Sequence, residues 1–351
     1  MNFSSLRYAL RGLSAYRTLL DDENESILDY ATTVLYTLAN GQKEQDEEER
    51  AEWGENALSA YACLFQALCD GGFSGIGDWL WDKLRYTEPP LALPAQSDGA
   101  SPALEQAARR DVDALLALAG LDCGAILTAI AALLPPEQTS MVEAMPRWVS
   151  SAPFDFDRLV QFYRDHGAGL YARYRAFLWE DGQLIPVADP DCPKPEDLLG
   201  YEQQRSQVET NTRQMMAGHY ANNVLLFGDG GTGKSATVKS MLYLPGMEDL
   251  RLIEIQKENL TGLPQLMRSL RDKRQKFILF IDDLAFDQDD KTYSSMKTIL
   301  EGSLEKRPAN VVIYATSNRR HLVRQNFSDR GNDEVDASET IAEKTALAER
   351  F

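Results

Sequence analysis

Histidine is scarce in this chain: its 351 residues include three, His166, His219 and His321, scattered along the sequence. That argues against a zinc site or a histidine-based catalytic triad, since both draw on grouped imidazoles. Cysteine is nearly as rare. Cys63, Cys69, Cys123 and Cys192 form no C-x-x-C pair, so reduced, partly buried thiols are expected rather than a metal site or a disulfide framework. Long apolar runs are lacking too. The longest uncharged apolar stretch is Cys123–Leu134, about half of the ~20 residues needed to cross a bilayer. Arg7, Arg11 and Arg17 interrupt any signal-peptide pattern at the start. The expectation is a soluble, cytoplasmic chain with no membrane partner. Positive charge is short as well, with 36 Lys+Arg against 54 Asp+Glu and a net charge of −18. The deficit is uneven: residues 201–351 hold 21 basic against 22 acidic side chains, leaving 15 against 32 for the first 200. An acidic front half repels nucleic acid and anionic lipid.

Apolar spacing divides what remains into two or three domains, as the length allows. Residues 1–150 read as an acidic helical domain. Leu6, Leu10, Leu13 and Tyr16 recur at helical spacing, as do Ile27, Tyr30, Val34 and Leu38 before Asn40-Gly41. Trp53, Ala57, Tyr61, Leu64 and Leu68 predict a third helix, and Trp79, Leu80 and Leu84 a fourth. Aromatic residues at such spacing are read as core, and Gln42–Glu52 as a solvated acidic loop and helix start. Thr87–Ser101, with Pro89, Pro90 and Pro94, is predicted to be a linker. Helices resume at 103–118 and 123–134. Residues 151–196 are expected to connect the halves, with a helix over Phe156–Arg164 and a hairpin turning at Asp181-Gly182.

From residue 197 the pattern becomes α/β. A polar helical lead-in over Gly200–Met216 comes first. The strands Asn222–Phe227, Leu252–Ile255, Phe277–Ile281 and Val311–Ala315 then alternate with helices, the last of them Tyr293–Glu305. Such alternation predicts a parallel sheet with helices on both faces.

The chemistry gathers after the first of those strands. Gly228-Asp229-Gly230-Gly231-Thr232-Gly233-Lys234-Ser235 spells G-x-x-x-x-G-K-[ST] between a strand and a helix that continues through Ala236. Glycines let backbone N–H groups turn inward around a phosphate chain, and the helix start adds its own. Lys234 would reach the β/γ-phosphates and Ser235 would ligate Mg²⁺. A second pattern overlaps it. Gly228, Gly230 and Gly233 also spell the dinucleotide fingerprint, with Glu254 as the ribose-binding acid. A dinucleotide loop has no need of the Lys-Ser pair, and a bland glycine turn is the third reading.

Two further strand ends support the triphosphate reading. Asp282 and Asp283 close the run Lys276–Ile281 at the edge where open parallel sheets place their sites. Asp282 fits the Mg²⁺-organising acid and Asp283 the water-activating base, against the plainer role of capping the next turn. Asn318 ends the last strand and could orient the attacking water. Arg319, Arg320 and Arg350 are candidates for stabilising transition-state charge, although any single arginine is by default solvated.

Together Walker A at Gly228–Ser235, Walker B at Leu279–Asp283 and a sensor-1-like Asn318 resemble an AAA+ ATPase. More narrowly, Gly200-Tyr201-Glu202, Asn222–Ser235, Phe277–Phe286 and Tyr314–Leu322 resemble a bacterial AAA+ family known as domain of unknown function 815. The resemblance covers roughly residues 150–351. It implies a P-loop NTPase core over 197–351 with strand order 5-1-4-3-2, ATP with Mg²⁺, and active sites shared between subunits of a homo-oligomer. It also places Tyr201 by the adenine and Arg350 in an arginine-finger region. Two departures stand out. The family's usual Asp-Glu is Asp282-Asp283 here, and the chain stops where a final strand and a small helical lid with a sensor-2 residue would follow in the family.

Three functions compete on this reading. The first is an ATPase that remodels an unknown partner, held through the acidic N-terminal domain. The second is a nucleotide-gated switch with little turnover. The third is a nucleic-acid loader using Arg268, Arg271, Lys273, Arg274 and Lys276, although such a cluster is more often a solvated face. A dehydrogenase is a remote fourth. Gly72-Phe73-Ser74-Gly75 lacks the spacing of a nucleophile elbow.

Overall fold

The computed structural model describes residues 2–19, 26–95, 99–284, 306–318 and 351. The chain forms two compact units, Met1–Gly169 and Leu170–Phe351.

The first unit is helical throughout its described residues. It comprises α1 (Phe3–Arg11), α2 (Ser26–Gly41), α3 (Glu47–Asp70), α4 (Ile76–Tyr86), α5 (Ala92–Ala95), α6 (Pro102–Ala119), α7 (Cys123–Ala131), α8 (Thr139–Glu143) and α9 (Phe156–His166). Helix starts follow from short polar side chains. Asn2, Asp46, Ser101, Asp122 and Asp155 each accept a backbone N–H from the turn they precede. Glu47, Glu48 and Glu49 occupy the first turn of α3, where the helix dipole favours carboxylates. The acidic run is thus a loop and a helix start. The aromatic side chains face inward as their spacing predicts: Tyr16, Tyr61, Trp79 and Tyr163 are fully buried in one core. No single described helix is long and apolar enough to cross a membrane.

The stretch predicted as a linker is partly built into that core. Leu91, Ala92 and Ala95 are buried, and α5 packs on α9. Its apolar residues outweigh its prolines, because a proline near a helix start costs no hydrogen bond.

The second unit carries α10 (Leu170–Arg173), β1 (Ala176–Glu180), β2 (Gln183–Val187), α11 (Glu202–Met216), β3 (Val224–Phe227), α12 (Lys234–Ser240), β4 (Leu250–Ile255), α13 (Leu263–Leu270), β5 (Lys276–Ile281) and β6 (Val311–Ser317). The strands form one sheet in the order β2-β1-β4-β5-β6-β3. The β1–β2 pair is antiparallel, and every other pairing is parallel. Asp181 and Gly182 both have positive φ, 48° and 78°, the turn that a two-residue D-G hairpin requires.

Alternation along each strand feeds two cores. Ile253, Phe277, Leu279, Ile281, Val311 and Ile313 face α13, whereas Leu252, Ile278, Phe280, Val312 and Tyr314 face α11 and α12. Helices therefore cover both faces, and strands buried on both sides read as continuous apolar runs.

One boundary differs from the sequence reading. Residues 151–196 do not form a separate connector. Helix α9 belongs to the first unit, and the hairpin extends the sheet through the parallel pairing of Ala176–Trp179 with Leu252–Ile255. Phe177 and Trp179 supply the apolar face that holds it there. The four strands after residue 197 stand in the order expected of them, β3 next to β6, then β5, then β4. The predicted helix Tyr293–Glu305 lies outside the described residues.

Candidate active site

Register brings three chain segments to one edge of the sheet. Ile281 of β5 lies opposite Ala315 of β6, while Leu226 and Phe227 of β3 lie opposite Thr316 and Ser317. All three strands run the same way, so the residues after each one emerge together. Gly228, Asp282 and Asn318 thus become neighbours.

The glycine loop is tied to the sheet by the Gly228 N–H, which donates to Ser317 O at 3.2 Å. Gly231 and Gly233 have φ of 76° and 78°, left-handed conformations that a side chain would strain. A Cβ placed on Gly228, Gly230, Gly231 or Gly233 would meet nothing within 4 Å, so the loop borders open space. Thr232 Oγ1 donates to Asp229 O at 2.9 Å and closes the turn from inside. Lys234 opens α12 and folds back over the loop. Its Nζ donates to Gly228 O at 3.0 Å, Asp229 O at 2.7 Å and Asn318 Oδ1 at 3.0 Å.

The carboxylates join the same network. Ser235 Oγ donates to Asp282 Oδ1 at 2.6 Å, and Asn318 Nδ2 donates to Asp283 Oδ1 at 2.9 Å. Asp283 is itself left-handed, with φ of 48°. Aspartate is among the few side chains that tolerate this region, and such strain is found at functional sites. Its N–H donates to Asp282 Oδ1 at 3.1 Å and to Thr316 Oγ1 at 2.9 Å. Lys234, Ser235, Asp282, Asp283 and Asn318 are one hydrogen-bonded cluster drawn from three loops.

Two residues that sequence reasoning missed, Thr316 and Lys239, support it, and Glu254, read from sequence as a ribose ligand, takes another role. Thr316, 1% exposed, donates through Oγ1 to Asp282 Oδ1. Sequence reading ended the strand at Ala315, but β6 runs through Ser317, and only that extra length aligns Thr316 with Asp282. Lys239 and Glu254 form an ion pair at 3.1 Å. Burial works to lower the lysine's pKa, but the hydrogen bond and charge of Glu254, with Asp282 adding to them, carry the net shift upward.

Glu254 decides against the dinucleotide fingerprint. That geometry needs the second strand beside the first so that its acid reaches the ribose. Here β5 and β6 stand between β4 and β3, and Glu254 is engaged with Lys239 instead.

Other predicted residues lie apart from the cluster or outside it. Tyr201 caps α11 with φ of 55° and is 55% exposed, with no hydrogen bond to the loop among the described residues. Ala236, half-buried, continues α12 and has no polar side chain to offer. Arg319, Arg320 and Arg350 lie outside the described residues.

The donor set suits a hard cation and a phosphate chain. Among the described residues no three His, Cys, Asp or Glu side chains group as a metal cage. A hydroxyl and one carboxylate, Ser235 and Asp282, meet instead, which is the sparse oxygen set with which Mg²⁺ is held when phosphates complete its shell.

Fold and site together define an α/β protein with a helical N-terminal unit, a mostly parallel sheet, and a glycine loop facing two carboxylates across one sheet edge. The chain belongs to the family described as "Protein of unknown function (DUF815)", whose model matches residues 172–351. The match starts two residues into the second unit. No curated protein matches the chain.

Proposed function

We propose that this chain is a P-loop ATPase of the AAA+ type, binding ATP with Mg²⁺ at the Gly228–Ser235 loop. One observation carries this reading: the lysine of the loop is hydrogen-bonded to Asn318 and the serine to Asp282, at the ends of two neighbouring strands. A bland glycine turn has no need of those partners. Backbone N–H groups of residues 229–233 cradle the phosphates, and Lys234 Nζ exchanges its loop carbonyls for phosphate oxygens. Ser235 Oγ and the Asp282 carboxylate hold Mg²⁺. When bound, the ion neutralises charge on the β- and γ-phosphate oxygens. Asp283 accepts the proton of the attacking water, and Asn318 positions that water through its amide. The working form is a homo-oligomer, with Arg319, Arg320 or Arg350 serving a neighbour's site. The acidic N-terminal unit holds a protein partner that turnover remodels.

A second reading, a nucleotide-gated switch with little turnover, draws on Asp283. Its side chain is one methylene shorter than glutamate and already engaged by Asn318 at 2.9 Å. Phosphate release from Mg-ATP, measured across protein concentrations, separates the two. A working ATPase gives specific activity that rises with concentration and falls ~100-fold or more in Lys234→Ala. Flat background release with intact ATP binding gives the switch. Salt-sensitive DNA binding that is lost on charge reversal at Arg268 and Arg271 would turn the reading towards a nucleic-acid loader.

A further inference from the structure

Thr316 stands at the junction of all three segments of the candidate site. It lies on β6, level with Leu226 at the end of β3 on one side and next to the end of β5 on the other. Its side chain is buried, yet its hydroxyl has both a donor and an acceptor. Oγ1 donates to Asp282 Oδ1 and accepts the Asp283 N–H at 2.9 Å. Its backbone completes the hold, since Thr316 O accepts the Leu284 N–H at 2.7 Å. One residue therefore anchors the turn 282–284 at three consecutive positions.

The distribution of these bonds on Asp282 matters. Oδ1 receives Ser235 Oγ at 2.6 Å, Asp283 N at 3.1 Å and Thr316 Oγ1. Among the described residues no hydrogen bond falls on Oδ2, which leaves that oxygen for a cation or its water. Ser235 can ligate a metal through a lone pair while its hydroxyl hydrogen stays on Asp282 Oδ1. Of the three donors, Ser235 is itself a candidate ligand and the Asp283 N–H is backbone, so Thr316 is the one whose side chain can be changed without removing a ligand.

Resting on the ATPase reading, we propose that Thr316 is a positioning residue for the metal and the base. It aims the Asp282 carboxylate at Mg²⁺ through Oγ1–H, and it fixes Asp283 in its left-handed conformation by taking its N–H. It touches neither phosphate nor water itself. Outer-shell partners of this kind set ligand orientation, and their loss typically costs 10–100-fold in metal affinity or activity. Asn318 and Lys234 were legible as site residues because they are polar at a strand end. Thr316 was not, because the strand reads from sequence as ending at Ala315 and a lone threonine beyond it belongs to no motif.

The test uses the whole chain with Thr316→Val, Thr316→Ser and Thr316→Ala. Mn²⁺ binding in the presence of ADP is followed by electron paramagnetic resonance, which needs no turnover. ATP hydrolysis is measured alongside as a function of Mg²⁺. Thr316→Val keeps the volume and removes the hydroxyl, so Mn²⁺ affinity should fall ~10-fold or more, with a matching rise in the Mg²⁺ needed for half-maximal turnover. ADP affinity in EDTA should stay at the wild-type value. Thr316→Ser should recover most of both losses. Should the valine chain fail to fold, the serine and alanine chains still differ by the hydroxyl alone and give the same contrast. Wild-type Mn²⁺ affinity in valine or alanine chains that bind ADP normally would overturn the role of Thr316 and leave the ATPase reading intact. A wild-type chain that binds no Mn-ADP would overturn both.

Discussion

Lys239 sits one helical turn beyond Ser235 on α12, and its ammonium faces Glu254 rather than solvent. Its pKa is raised from the ordinary 10.5 although burial alone would lower it. A raised native value means that the charged lysine is favoured by folding. That stabilisation is complete below the ordinary lysine range and is lost as pH rises through the raised native value. Glu254→Gln should therefore lower the urea midpoint at pH 8, and the gap from wild type should close above pH ~10.5. A gap that stayed constant as pH rose from ~8 through and beyond the ordinary lysine range would mean that Glu254 stabilises by packing, not by charge. Lys239 also holds positive charge beneath Asp282, so the pair belongs electrostatically to the site that Lys234 and Ser235 open.

At the scale of elements, α6 is tied to the turn after α1 by one buried carboxylate. Asp111 on α6 is 1% exposed, and its Oδ2 accepts the N–H groups of Ser14 and Ala15 at 2.7 Å and of Tyr16 at 3.3 Å. Arg110 completes it, donating to Oδ1 at 2.8 Å. The turn after α1 has no helix to satisfy those amides, and Asp111 does so from nearly a hundred residues away. Asp111→Ala would strand several donors at once, and its expected cost is about 3 kcal/mol of stability in urea unfolding. Asp113, exposed on the same helix, serves as the control, and its alanine variant should stay within ~0.5 kcal/mol of wild type. The Gly72–Gly75 stretch belongs to this scale as well. A Cβ on Gly75 would come within 2.2 Å of Val149 O, and one on Gly77 within 1.7 Å of Ser151 O. Gly75 and Gly77 admit a passing backbone, whereas Gly72 takes a left-handed turn with φ of 73°, so the glycines here serve packing and a turn.

For the whole molecule, the four thiols report on each unit without disturbing it. Cys69 is exposed, Cys63 and Cys192 are intermediate, and Cys123 is buried with Sγ donating to Trp148 O at 3.4 Å. Burial pushes the Cys192 thiol up, which keeps it protonated and slow to react. Alkylation with iodoacetamide at pH 7.5, followed by peptide mass spectrometry, should label Cys69 first, Cys192 slowly and Cys123 only on unfolding. Early labelling of Cys123 would show that the helical core around Trp148 opens far more readily than its packing implies. The family match falls on the second unit alone.

Much of this architecture was legible in the sequence because its causes are local. A capping Asp or Ser, a D-G turn, a glycine loop before Lys234-Ser235, and apolar runs ending in carboxylates all act within a few residues of themselves. They determined where helices start, that the later half is α/β, and which polar residues, Lys234, Ser235, Asp282, Asp283 and Asn318, stand at the strand ends that the structure brings together. Other features rest on pairings between distant segments. Thr316 reaches Asp282 across 34 residues of sequence, and nothing near either residue announces the other. Glu254 was a plausible ribose ligand until the strand order moved β4 away from β3. The hairpin read as a connector became part of the sheet once β1 paired with β4. Only the tertiary structure decides such matters, because strand order and register are chosen by burial of whole faces at once, and no short stretch of sequence contains that sum.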